Sequence, residues 1–170
     1  MTTRVSIALS FLLLPACSGT PPDNHAGMHH TTAASSTFLP GEEMDVSQLP
    51  VAKKTETLDV RAGETITLVP TIVRQNLNGR DYVMYGYNGQ IPGPLIRAEQ
   101  GTEFKVLLRN DIDLPTTVHW HGIRLENAFD GVPGITQKTV MPNGTFEYTV
   151  RVPDEGLYWY HPHMREDIQQ

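Results

Sequence analysis

The residues best suited to chemistry are two histidine pairs, His119–His121 and His161–His163, each with one residue between its members. Residues i and i+2 of a β-strand point to the same face, about 6–7 Å apart along the backbone. That spacing suits two imidazoles that bind two different metal ions better than two imidazoles that close on one ion. If the two strands meet, the four imidazoles would provide half the lining of a multinuclear copper site.

Zinc is the main alternative to copper as the metal. A structural zinc site needs four ligands in tetrahedral geometry, and two ligands that alternate along one strand meet that geometry poorly. A single histidine in a strand is usually an ordinary core or surface residue, but two such pairs are harder to explain in that way. The aromatic residues Trp120 and Tyr158–Tyr160 are predicted to wall the site and exclude solvent.

Alternating polar and apolar residues predict the strands of an all-β domain. The alternation covers Glu64–Pro70 and Glu103–Arg109, and it continues through Phe146, Tyr148, Val150 and Val152. Turn-forming pairs such as Asn78-Gly79 and Asn88-Gly89 separate these segments. Short strands at this spacing favour a β-sandwich or a Greek-key barrel.

Length and charge restrict the class of protein. The 170 residues are enough for one domain of ordinary size and a tail. The formal net charge of −6 argues against nucleic acid or an anionic membrane surface as the main partner.

Residues 1–16 are predicted to be a lipoprotein-type signal peptide. Arg4 supplies the positive charge and Val5–Leu14 the apolar run, which is too short for a transmembrane helix. The run Leu14-Pro15-Ala16-Cys17 resembles the bacterial lipobox, so Cys17 is the expected site of lipid attachment, with a simple secretory signal as the alternative. We therefore expect an exported protein of the bacterial cell envelope, facing the periplasm or the exterior and touching the membrane only through its lipid anchor.

Residues 17–55 are predicted to be a disordered tether. They are rich in Ser, Thr, Pro and Gly and hold few large apolar side chains, so they bury too little surface to offset the entropy of ordering. Within them, Met28–His30 and the nearby His25 are residue types that bind copper. The alternative is an ordinary polar linker that happens to contain histidine.

Four motifs resemble the first domain of the multicopper oxidases, the family of laccases and copper-resistance oxidases. They are, in chain order, Asn88–Pro94, His119–Gly122, Asp130–Gly134 and Tyr158–His163. The resemblance implies that residues 56–170 form a cupredoxin-like (plastocyanin-like) Greek-key β-sandwich that lacks its last strand. It also implies copper as the cofactor.

The resemblance further implies a role for each site residue. His119 matches a ligand of the type 2 copper, His121 and His161 match ligands of one type 3 copper, and His163 matches a ligand of the other. Asp130 matches an acid that helps to supply protons during oxygen reduction, with an ordinary turn residue as the alternative. The four histidines would thus form half of a trinuclear cluster.

An imidazole that binds a metal through one nitrogen needs a hydrogen-bond partner for the other nitrogen, because that partner fixes the orientation of the ring. Backbone carbonyl groups in the turn Gly131–Gly134 are candidates for this partner.

Two functions stay open from the sequence. In the first, the chain is the N-terminal part of a multicopper oxidase that oxidises a phenol or a metal ion and reduces O₂ to water. Missing C-terminal cupredoxin domains or another subunit would then supply the remaining ligands. With no cysteine except Cys17 there is no type 1 copper site, so the chain alone should be inactive as an oxidase.

In the second function, the chain is an envelope-tethered copper-binding or copper-buffering module without catalysis. A prematurely ended reading frame is a third possibility.

Overall fold

The computed structural model describes residues 44–165 and residue 169. Over these residues the chain forms nine short strands and two 3₁₀ turns, and the prediction of an all-β domain is confirmed. The strands are β1 (Thr57–Val60), β2 (Thr65–Leu68), β3 (Pro70–Leu77), β4 (Arg80–Tyr87), β5 (Leu95–Ala98), β6 (Glu103–Arg109), β7 (His119–His121), β8 (Thr145–Arg151) and β9 (Trp159–His161). The 3₁₀ turns cover Val46–Gln48 and Asn127–Phe129.

The three-stranded sheet β2-β6-β8 carries much of the core. Strand β6 pairs with β2 in parallel and with β8 in antiparallel orientation. Val106 of β6 lies opposite Tyr148 of β8, and both are 0% exposed. The predicted alternation is therefore correct here: alternate residues of each strand enter the core, because successive side chains of a strand point to opposite faces.

The other strands form three two-stranded sheets: β1 with β5 in parallel, β3 with β4 as a hairpin, and β7 with β9. The hairpin turns at Asn78-Gly79, where both residues have positive φ (52° and 83°). Asn and Gly adopt this conformation at low cost, and a two-residue turn of this kind matches the twist of the two strands. Within the described residues, no helix is long and apolar enough to cross a bilayer.

Residues 50–53, which lie within the tether predicted for residues 17–55, form backbone hydrogen bonds with the domain. The N–H of Ala52 donates to the carbonyl of Arg74, and the N–H of Arg74 donates to the carbonyl of Pro50, both at 2.8 Å. The N–H of Lys53 donates to the carbonyl of Gly89 at 2.8 Å. This segment therefore satisfies backbone groups along the edge of β3. Its polar composition hid the pairing, because backbone hydrogen bonds need no apolar side chains.

Three predictions fall on residues outside those described. They are the signal peptide of residues 1–16, the lipid attachment at Cys17 and the copper-binding segment Met28–His30.

A buried hydrogen bond holds the chain just before β7. The hydroxyl of Tyr148 accepts the backbone N–H of Val118 at 2.9 Å, and both residues are 0% exposed. Because Val118 precedes His119, the core side of β8 is connected directly to the strand that carries the first histidine pair.

We predict that Tyr148→Phe lowers the free energy of unfolding by about 1–3 kcal/mol, because it leaves the buried N–H of Val118 without an acceptor. Denaturant unfolding followed by circular dichroism measures the change. Tyr158→Phe is the matched control, since that hydroxyl donates to the carbonyl of Glu155 near the surface; its effect should stay within about 0.5 kcal/mol. Equal losses in the two variants would contradict the assignment.

Candidate metal centre

Strands β7 and β9 bring the two histidine pairs together. They pair in antiparallel orientation with His119 opposite His161 and His121 opposite Trp159. These four side chains share one face of the two-stranded sheet, because residues opposite each other and two apart point the same way. The two strands therefore meet, as the predicted metal site requires.

The intervening residues point the other way. Trp120 lies opposite Tyr160 and is 3% exposed, and its ring centre lies 5.9 Å from that of Tyr148 in the core. The prediction that Trp120 walls the metal site is therefore wrong, because the residue between two histidines of a strand must face away from them. Trp120 instead anchors β7 to the hydrophobic core.

Trp159 does contact the histidines. Its ring stacks on that of His161, with centres 4.1 Å apart and planes 20° apart, and on that of His121, with centres 4.8 Å apart and planes 28° apart. Trp159 is also 52% exposed, so it covers one side of the rings without sealing them from solvent.

The four imidazoles lie close together. One nitrogen each of His119, His121 and His161 lies within 4.8 Å of the others. The ring centre of His119 lies 5.5 Å from that of His121, 5.4 Å from that of His161 and 5.4 Å from that of His163. The ring centre of His161 likewise lies 5.7 Å from that of His121 and 5.9 Å from that of His163, so His119 and His161 each adjoin the other three rings.

Backbone carbonyl groups orient two of the rings. Nδ1 of His119 lies 2.6 Å from the carbonyl oxygen of Asp130, and Nδ1 of His161 lies 2.9 Å from that of Pro162. A carbonyl oxygen can only accept, so each Nδ1 carries the proton and each Nε2 carries the free lone pair. The partner of His119 was expected within Gly131–Gly134, but it is the residue immediately before that turn.

The donor set fits copper. Nε2 of His161 is buried and has no hydrogen-bond partner, which is costly unless the lone pair binds something else. Burial lowers the pKa of His161, which favours the neutral imidazole that binds metals. Imidazole nitrogen is a good ligand for copper, so a copper ion would satisfy the one buried ring nitrogen that the protein leaves unpaired in this cluster.

Asp130 lies on the outer side of the His119 ring. It follows the 3₁₀ turn Asn127–Phe129, and its carboxylate oxygen Oδ1 is 3.5 Å from Nδ1 of His119. The carboxylate is therefore near the cluster, but it approaches the nitrogen opposite the one that would bind metal. The predicted role in proton supply stays a prediction.

An apolar cavity of about 560 Å³ lies on the opposite face of β7 and β9, the face of Trp120 and Tyr160. Residues of six strands line it, among them Phe104, Trp120 and Tyr160. Leu157 and Trp159 also border the cavity, and they are 91% and 52% exposed. Protein interiors are close-packed, so an opening of this size next to exposed apolar residues presents a surface suited to burial by another polypeptide segment.

The family model described as multicopper oxidase matches residues 71–170. Multicopper oxidase MmcO of Mycobacterium tuberculosis is 46% identical over 100 residues, which is 59% of this chain and 20% of that protein. Copper resistance protein A of Pseudomonas syringae pv. tomato is 38% identical over 106 residues, which is 62% of this chain and 17% of that protein. The chain thus spans about a fifth of the length of these relatives.

Solved structures of multicopper oxidases share the fold. A blue copper oxidase from Nitrosomonas europaea superposes with a TM-score of 0.61 at 33% identity, over 63% of this chain and 35% of that one. The multicopper oxidase mgLAC gives the same TM-score and identity over 64% of this chain and 35% of that one. The cupredoxin-like fold is therefore confirmed, and with it copper as the cofactor. The chain belongs to the multicopper oxidase family.

Proposed function

We propose that this domain supplies half of a trinuclear copper site in an oxidase that oxidises a small substrate, a phenol or a metal ion, and reduces O₂ to water. The observation that carries the proposal is the convergence of His119, His121 and His161 on one face of β7 and β9, with the His163 ring beside them and the lone pair of His161 Nε2 buried and unpaired. Copper, when bound, supplies the one-electron steps of this chemistry.

The resemblance to the family motifs supports a division of roles among the residues. His119 is proposed to bind the type 2 copper, His121 and His161 one type 3 copper, and His163 the other. Asp130 is proposed to help move protons, since its carboxylate lies 3.5 Å from the outer nitrogen of His119.

The remaining ligands are proposed to come from a partner: further cupredoxin domains or another subunit. A type 1 copper site needs a cysteine thiolate, and the one cysteine of the sequence, Cys17, precedes the domain. We propose that the partner docks against the exposed side of Trp159, because Trp159 itself stacks on two of the histidines. A polypeptide bound there would bury exposed apolar surface and would at the same time come close to the copper ligands.

We also propose a location in the bacterial cell envelope, with a lipid on Cys17 as the only membrane attachment. The lipobox-like sequence supports this proposal. The chain is, in addition, similar to proteins that are named for copper resistance. That similarity favours the second candidate, a copper-binding module without catalysis.

Replacing His119 and His121 together by Ala should abolish copper binding by the domain, because it removes both ligands of β7. Equilibrium dialysis with Cu(II), followed by metal analysis, measures this loss. His29→Ala with His30→Ala is the control pair, and it should leave the binding of the domain unchanged. Loss of binding only in the control pair would place the copper site outside the domain.

The purified chain saturated with copper should show no turnover of a phenolic dye, because half a cluster without a type 1 site has no entry point for electrons. Absorbance of the oxidised dye measures turnover, with a complete laccase as the positive control. Sustained oxidation by the chain alone would contradict the proposal.

A competing chelator distinguishes the two candidates. A half site should lose its copper to a chelator of modest affinity, because it offers each ion only part of a coordination sphere. Retention of copper against the same chelator would instead favour a dedicated copper-binding module.

A further inference from the structure

Gly131 makes an unusually close backbone contact with the strand that carries the first histidine pair. Its φ is +81°, and a Cβ placed on it would lie 1.9 Å from the carbonyl oxygen of Val118 and 2.9 Å from the backbone nitrogen of His119. An L-residue at this position would need a rarely adopted conformation and would also collide with backbone. Only glycine lets the turn lie this close to β7.

The same approach brings the preceding residue to the His119 ring. Gly131 contacts Val118 and His119, while the carbonyl of Asp130 lies 2.6 Å from Nδ1 of His119. The steric contact therefore involves Gly131 and the backbone of Val118 and His119. The hydrogen bond joins the adjacent residue, Asp130, to the His119 ring. A displacement of the turn by the size of a methyl group would break the hydrogen bond.

Two groups of Asp130 face Nδ1 of His119, and they lie at different distances from it. The carbonyl oxygen is at 2.6 Å and the carboxylate oxygen is at 3.5 Å. The first is a short hydrogen bond and the second lies at the outer limit of one. The backbone of Asp130, rather than its side chain, therefore accepts the proton on Nδ1.

We propose that Gly131 is a positioning residue for the copper site. By packing against the backbone of Val118 and His119, it holds the Asp130 carbonyl where it fixes His119 as the Nδ1–H tautomer, with the Nε2 lone pair directed to copper. The part concerning copper rests on the proposed function, whereas the part concerning the tautomer does not.

The tautomer is measured in the metal-free full chain by ¹⁵N NMR of the histidine rings, with His119→Gln used to assign the His119 signals. At a pH where the ring is neutral, we expect the wild type to carry its proton on Nδ1. Asp130→Ala should keep this tautomer, because it leaves the backbone carbonyl in place. An Nε2–H tautomer in the wild type, or a change of tautomer in Asp130→Ala, would overturn the proposal even if no Gly131 variant folded.

Gly131→Ala should disturb the Nδ1–H signal and weaken Cu(II) binding about 10- to 100-fold, the usual effect of losing a partner that orients a ligand. Gly134→Ala is the matched control, because Gly134 also has a positive φ (+73°) but no atom within 4 Å of the added methyl group. The control should keep both the tautomer and the copper affinity. If folded Gly131→Ala behaves as wild type, or if the two variants change equally, the positioning role is excluded. Absence of copper binding with the Nδ1–H tautomer intact would instead count against the proposed function alone.

Discussion

The pairing of β7 with β9 is the interaction on which the site depends. These strands are only three residues long, yet their register decides where every functional side chain points. A shift by one residue would turn His119 and His121 toward the core and Trp120 toward the site, because the side-chain period of a strand is two. The large aromatic residues on the core face prevent this shift. Trp120 and Tyr160, opposite each other, are packed against the sandwich and keep the histidines on the other face.

Orientation of the rings adds a second constraint. A pair of imidazoles on a strand can rotate about their side-chain bonds, and a metal site requires that their lone pairs converge. Backbone carbonyl groups provide this control at His119 and His161, and they do so without adding charge beside a cation site. This arrangement costs free energy at one place, because one ring nitrogen of His161 is left buried without a hydrogen-bond partner inside the protein. A ligand bound at this nitrogen would offset that cost.

Much of this arrangement could be predicted from the sequence because it follows from local periodicity. The alternation in Glu103–Arg109 predicts β6 correctly, and the spacing of the histidines predicts that each pair shares a face. The role given to Trp120 was wrong although the same periodicity excludes it, since the residue between two site-facing residues must face the core. The remaining features depend on contacts distant in sequence. No local pattern reveals that Pro50 and Ala52 pair with β3, or that Gly131 lies against Val118.

The central claim is that both strands bind copper together. Crystals of the full chain grown with Cu(II), with data collected at the copper edge, would show the ions directly by anomalous scattering. We expect copper within bonding distance of ring nitrogens from both β7 and β9, with Nε2 of His119 and of His161 among the ligands. Copper bound by the histidines of only one strand, or only by residues before the domain, would contradict a shared site.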